Sequence, residues 1–362
     1  MSKKKVLISS YNLGFGGIET SLVNLLKNFN HDKYSVTLVL EEKKGMFLKE
    51  VPSNVQIKEY KVSTTKNVLI RKFINLLKRI VFIINNYKRY NASICYATYS
   101  GPCGFVARVS SKNKILYVHS NYYEAFNKDK EKIKRFFDNL KIEKYNQIVF
   151  VSNESKRDIC NIYPNIVNKS VTINNLIDYK KILLLSKEKV KINETNKKKF
   201  LFVGRLDESS KRLTLLLEVA KKCMIESVNS EFWIIGSGKD EKLYKDIVKK
   251  EKINNVTFFG EKKNPYPYMK ACNYVILTSR YEGFPVVYNE AIILNKPIIT
   301  TVNASDDYIS IPNRFGFVVN KNNLFDKVKE LSNKDYHTKE KVDYDALNKK
   351  RIKMLEDIME NE

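Results

Sequence analysis

The chain has 362 residues, 43% hydrophobic and 12% aromatic, and its 65 Lys and Arg against 40 Asp and Glu give a formal charge of +25. That length holds two domains with cores of their own, and that apolar content argues against a disordered chain. Five scattered cysteines, odd in number and never spaced C-x-x-C, fit free thiols in a reducing cytoplasm rather than a disulfide framework or a zinc site.

The first ten residues are basic at their start, but their apolar run is too short for a signal peptide. No uninterrupted apolar run reaches the roughly twenty residues a spanning helix needs. Val6-Leu7-Ile8-Ser9 predicts a first strand, followed by the loop Gly14-Phe15-Gly16-Gly17 and a helix from about residue 19 to 29. Strands follow at Tyr34–Leu40 and Gln56–Tyr60. Residues 61–90 then hold eight basic side chains and no acidic one, interleaved with aliphatic residues from Val68 to Ile84. Such a basic amphipathic helix suits an anionic membrane surface; it could equally be a domain helix whose apolar face is core. Nucleic acid is disfavoured as the anion. There is no recognition helix, RNP-type motif or Cys/His finger.

Further strands are expected at Ser93–Tyr96, Lys114–Val118, Gln147–Val151 and Val171–Ile173, with helical segments between. A Lys-rich, largely polar stretch at 181–199 reads as a linker. A second alternation of strand and helix runs from Phe200–Val203 to Phe317–Val319, and the tail from about 342 is charged with a helical period. Alternation of this kind predicts α/β domains with parallel, doubly wound sheets. The expected division is 1–180, 181–199, 200–340 and 341–362.

Four segments carry chemistry. In Ser279-Arg280-Tyr281-Glu282-Gly283-Phe284-Pro285-Val286-Val287-Tyr288-Asn289-Glu290, an apolar strand ends upstream and a helix begins at Val286 with Pro285 in its first turn. Glu282 therefore falls at the carboxyl end of a strand, where open α/β sheets bind ligands, and Glu290 lies on the helix. Carboxylates accept hydrogen bonds from sugar hydroxyls, and helix N-termini accept phosphate. Spacing alone also allows a solvated loop Glu and a helix-surface Glu. Arg205 and Lys211 follow the strand Phe200–Val203 and could neutralise a diphosphate, with Arg212 adjacent. His119 ends another strand and could bond a sugar hydroxyl or handle a proton near neutral pH. The loop Gly14-x-Gly16-Gly17 fails the dinucleotide pattern G-x-G-x-x-G because Glu19 occupies the sixth position.

Taken together these segments resemble the family-4 retaining glycosyltransferases. Glu282 and Glu290 match the E-x7-E pattern, and Gly16-Gly17-Ile18-Glu19 is similar to the GG-x-E loop. Val203-Gly204-Arg205-Leu206-Asp207 with Lys211 resembles the diphosphate-binding Arg and Lys, and Trp233 to Gly238 the strand before a G-x-G turn. The similarity runs from about residue 5 to 320. It implies a GT-B fold: two Rossmann-like domains facing a cleft, with the C-terminal helix crossing back to the first. It implies transfer of a hexose, with retention, from a nucleotide-sugar, with a leaning to UDP, to a hydroxyl of a membrane-linked or anionic cell-surface glycan. The enzyme would then lie peripherally at the inner face of the plasma membrane.

By the same resemblance, Arg205 and Lys211 stabilise the leaving diphosphate in place of a metal, and Gly16 and Gly17 lie near the donor phosphates. His119 and Glu282 face the donor sugar, and Glu290 takes the ribose hydroxyls. The N–H groups of Gly283, Phe284, Val286 and Val287 cap sugar and phosphates, and Glu261-Lys262-Lys263 lies beside the base. No cofactor or metal is implied, and Asp306-Asp307 lacks D-x-D spacing. A GT-B epimerase, an inverting transferase and a basic nucleic-acid-binding protein stand as alternatives.

Overall fold

The computed structural model describes residues 2–14, 16–192, 195–282, 286–302, 314–338 and 341–360. The chain forms two compact units, Met1–Ile177 with Asp345–Glu362, and Asp178–Tyr344.

The first unit is built on a parallel sheet of β1 (Lys4–Ser10), β2 (Tyr34–Leu40), β3 (Gln56–Glu59), β4 (Tyr90–Cys95), β5 (Ser111–Val118), β6 (Gln147–Phe150) and β7 (Ser170–Thr172). Their spatial order is β3-β2-β1-β4-β5-β6-β7. Val6 of β1 pairs with Val36 on one side and Ala92 on the other. Helices α1 (Gly17–Asn28), α2 (Val68–Asn86) and α3 (Gly101–Ser110) follow β1, β3 and β4. Parallel strands covered on both faces need continuous apolar runs, and Val6, Leu7 and Ile8 are fully buried, as are Ile148, Val149 and Phe150.

The second unit repeats the plan with β8 (Lys198–Val203), β9 (Ser230–Ile235), β10 (Val256–Gly260), β11 (Tyr274–Leu277), β12 (Ile298–Thr300) and β13 (Gly316–Val318). These parallel strands stand in the order β10-β9-β8-β11-β12-β13. An aromatic stack crosses three of them, Phe200 lying 5.4 Å from Phe232 and 5.2 Å from Tyr274 between ring centroids. In both sheets the chain winds outward one way, then returns to the other side of its first strand. The reversal leaves a crevice between β1 and β4 in one unit and between β8 and β11 in the other, where ligands of such sheets bind.

The structure departs from the sequence reading in one place. The stretch expected as a linker overlaps a helix, Tyr179–Leu185, and runs into β8, whose two leading lysines belong to the strand. Of the two roles the sequence left open for α2, a core helix is not the one seen, because α2 has no buried residue. The last helix, Tyr344–Glu360, packs within the first unit. There Arg351 donates to the Asn175 carbonyl at 2.9 Å, and Asn113 Nδ2 donates to the Ile358 and Met359 carbonyls at 3.0 Å each.

Gly236 and Gly238 do structural work. Gly236 has φ +144°, and a Cβ there would stand 1.9 Å from the Gly204 carbonyl oxygen; one on Gly238 would stand 2.3 Å from that of Leu206. The two loops are laced together by Gly204 N–H to Ile235 O and Leu206 N–H to Ser237 O, at 3.0 and 2.9 Å. The glycines thus let the loop after β9 lie against the loop after β8, which carries Arg205. Gly260, at φ +69° with open space around it, is a control. Gly236→Ala should destabilise the protein by more than about 2 kcal/mol in urea titration, and Gly260→Ala by only about 1 kcal/mol. Equal losses would show that the close approach is not what matters.

Candidate functional site

The site in the second unit grows from the ends of β8 and β11. After β8, Asp207 caps the one-turn helix Glu208–Lys211, its carboxylate accepting from Ser209 N–H at 3.0 Å. The next residue, Arg212, sits in the left-handed region at φ +48°. Its guanidinium donates to the carbonyls of Thr278 and Ser279 and to Thr301 Oγ1, each at 2.9 Å. The Arg280 N–H in turn donates to Ser210 O at 2.7 Å. Between Thr278 and Arg280, ahead of its helix, the β11 loop is therefore tied to the β8 loop.

That tie brings Lys211 to Glu282. The ammonium and carboxylate form an ion pair with side chains only 18% and 12% exposed, and Ser279 Oγ donates to the same carboxylate oxygen at 2.6 Å. Arg205 lies exposed on the loop after β8, close enough to Tyr281, the neighbour of Glu282, to act on it electrostatically. Arg212, adjacent to Lys211, is occupied with two backbone carbonyls and a threonine hydroxyl. The Lys211–Glu282 pair thus stands at the crevice between β8 and β11, with Arg205 on the same loop as Lys211.

The helix Val286–Ile293 follows the loop. Val286 and Val287 are half-buried at its start. One turn on, Glu290 is 9% exposed, and burial pushes its carboxyl up to about 7, against a hydrogen bond from Tyr266 Oη at 3.0 Å that favours the charged form. Its neighbour Asn289 is fully buried with both side-chain polar atoms lacking a partner. Glu261 accepts from Ser237 Oγ at 2.6 Å, next to the β9 turn. Gly283, Phe284, Pro285 and Asp306-Asp307 lie outside the described residues.

In the first unit, His119 stands just beyond the carboxyl end of β5, its ring 4.3 Å from Tyr96 and 5.2 Å from Tyr117 between centroids. Burial pushes its imidazole down to about 3, so it is neutral at physiological pH and does not titrate near pH 7 as the sequence reading allowed. Asn175 and the Tyr96 backbone are its polar neighbours, but neither reaches full hydrogen-bond geometry, which leaves both ring nitrogens unpartnered. A buried network adjoins it: Tyr96 Oη and Ser21 Oγ lie 2.6 Å apart, and Ser21 donates to Asn175 Oδ1 at 2.7 Å. Gly16 caps α1 and Gly17 opens it. The space a Gly16 Cβ would take is filled by the Glu19 carboxylate, 2.2 Å away. A carboxylate thus folds back over this helix start, an arrangement the helix dipole favours.

Sequence reasoning missed Ser279, Tyr266 and the clamp made by Arg212. Ser279 could have been suspected from two polar residues, Thr278 and Ser279, closing an apolar strand. Tyr266 carries no local signal, because its partner lies 24 residues away.

Residues 15–181 match the family model described as Glycosyltransferase Family 4, and residues 186–357 that described as Glycosyl transferases group 1. The chain is a glycosyltransferase with the GT-B fold, of the family-4 type. It is 28% identical to an uncharacterized glycosyltransferase of Methanocaldococcus jannaschii, over 54% of this chain and 50% of that protein, so the match spans half the relative's length. It is 25% identical to the N-acetylgalactosamine-N,N'-diacetylbacillosaminyl-diphospho-undecaprenol 4-alpha-N-acetylgalactosaminyltransferase of Campylobacter jejuni, over 96% of this chain and 97% of that one. Among solved structures, Anabaena HepE in complex with UDP and glucose superimposes with a TM-score of 0.71 at 15% identity, covering 98% and 99% of the two chains.

The raised Glu290 carboxyl has a measurable consequence. The folded state holds its proton more tightly than the unfolded one, so that stabilisation is complete below pH 4.5 and is lost as pH rises to about 7. The interval corresponds to at most about 3 kcal/mol. Glu290→Gln removes the titration, so its melting temperature should gain several degrees on the wild type between pH 5 and pH 8. A constant difference across that range would mean that Glu290 ionises normally.

Proposed function

We propose that this chain transfers a hexose from a UDP-sugar to a hydroxyl of a membrane-linked or anionic cell-surface glycan, with retention of configuration, at the inner face of the plasma membrane. The observation that carries the reading is the Lys211–Glu282 pair at the β8/β11 crevice, ahead of the helix Val286–Ile293 and with Arg205 on the same loop as Lys211. The UDP leaning is supported by the ligand of Anabaena HepE, and the lipid-linked acceptor by the activity for which the Campylobacter relative is named.

In this reading the diphosphate sits against Arg205 and Lys211. It competes with Glu282 for the Lys211 ammonium, and Glu282 is then free to accept from a hydroxyl of the donor sugar. Glu290 accepts from the ribose hydroxyls alongside the Tyr266 bond. The neutral imidazole of His119 offers a hydrogen bond to the sugar rather than a proton relay. As the bond between sugar C1 and phosphate oxygen breaks, negative charge grows on the leaving diphosphate. Cations already in place there stabilise the transition state more than the ground state. The acceptor oxygen bonds to C1 on the face the diphosphate leaves, which preserves configuration, and its proton passes to the departing phosphate oxygen. A covalent carboxylate intermediate is not required.

Incubation with a panel of nucleotide-sugars should give slow hydrolysis of one UDP-sugar, with the released sugar first appearing in the donor's anomeric form by NMR. Glu282→Ala and Arg205→Ala should each lower transfer by on the order of a hundredfold, with unchanged melting temperature. Near-wild-type turnover in both would defeat the proposal, and an epimerised nucleotide-sugar as sole product would point to an epimerase.

A further inference from the structure

Helix α2 is amphipathic in the wrong sense for a core helix. The side against the body of the first unit is largely polar: Asn75 Oδ1 accepts from Ser63 N–H at 2.7 Å, and Lys78 Nζ donates to Lys61 O at 2.8 Å. Phe82 adds an apolar contact there, its ring 5.0 Å from Tyr60 and 5.9 Å from Phe105. The opposite side carries Leu69, Phe73, Leu76, Ile80, Ile84 and Tyr87, exposed at 77, 62, 53, 44, 66 and 55%. The helix is nonetheless well made, with Asn67 Oδ1 accepting from Leu69 and Ile70 N–H at its start.

We infer that the apolar face of α2 docks into an anionic phospholipid surface, with the helix lying along it. Exposing this many large apolar residues in one stripe is unfavourable in water, and a partner must cover them. Charge selects the partner. Residues 61–90 hold Lys66, Arg71, Lys72, Lys78, Arg79, Lys88, Arg89 and Lys61 with no acidic residue. A second copy seated on the same face would bring two acid-free basic segments together, whereas anionic headgroups pair with the bases flanking the stripe. Among the described residues no helix is long and apolar enough to cross a membrane, so α2 lies in the interface rather than spanning it. The inference deepens the acceptor reading above, since a lipid-linked acceptor is presented at such a surface.

The test is flotation of the full chain with vesicles of phosphatidylcholine alone or with about one third phosphatidylglycerol. The wild type should float with the anionic vesicles, less so at high salt, and hardly with the neutral ones. The double variant Phe73→Asp, Ile80→Asp changes only exposed side chains. It should bind anionic vesicles about tenfold less or weaker still, while its melting temperature and its slow hydrolysis of a soluble nucleotide-sugar stay those of the wild type. Equal flotation of wild type and variant, or equal flotation with neutral and anionic vesicles, overturns the inference. So does a dimer in vesicle-free solution that the variant dissolves. Flotation needs no turnover, so loss of hydrolysis in both proteins would sink the functional reading while leaving the docking result intact.

Discussion

The second unit depends most on Arg212. Its three hydrogen bonds reach the first two residues beyond β11 and the first residue beyond β12, and they are made by a charged donor partly withdrawn from water. Bonds of that kind contribute about 1.5–3 kcal/mol each. With the Arg280 N–H bond to Ser210 O, they hold the β11 loop in place without calling on the Lys211–Glu282 pair. That ordering suits a binding site. The pair can be taken apart by a competing anion without loosening the scaffold that holds it.

Glu282 and Glu290 have the same side chain and opposite situations. Glu282 is paired with the Lys211 ammonium and accepts from the Ser279 hydroxyl. Glu290 is buried with one phenolic donor, and desolvation raises its proton affinity. Adjacent Asn289, buried with unpartnered polar atoms, makes this turn of the helix costly to fold. Packing alone gives no reason for a helix turn that holds such polar groups out of water.

The winding of both sheets was legible in the sequence because fully buried parallel strands need unbroken apolar runs, and Val6–Ile8, Phe200–Phe202 and Tyr274–Leu277 supply them. The loop position of Glu282 followed from the strand before it and Pro285 after it. Other features could not be read. Arg212 looks like half of a Lys-Arg pair at a polar helix start, and only a left-handed φ turns its guanidinium inward. Tyr266 meets Glu290 through tertiary packing with no local trace. The ionisation of His119 depends on the two tyrosine rings around it, which come from separate strands. Gly236 and Gly238 stood out in the sequence only as a G-x-G turn after a strand. Their Cβ positions collide with the backbone of residues 204 and 206, so at least part of their role is to let two loops touch.

The apolar periodicity of α2 was visible, but periodicity reports that a helix has an apolar face, not which way that face turns. Orientation was decided by Asn75, Lys78 and Phe82, which bind the helix to the body through its narrower side. The same reversal explains why the excess charge is tolerated there. Bases crowded on a core helix would be forced against its neighbours, whereas on an outward-facing helix they remain hydrated until an anionic surface replaces the water. The two units thus handle positive charge by different physics. In the second, Lys211 and Arg212 are partly buried and held by an ion pair and hydrogen bonds, beside the place proposed for a diphosphate. In the first, many are left exposed around an apolar stripe, an arrangement fitted to a diffuse surface rather than to a pocket.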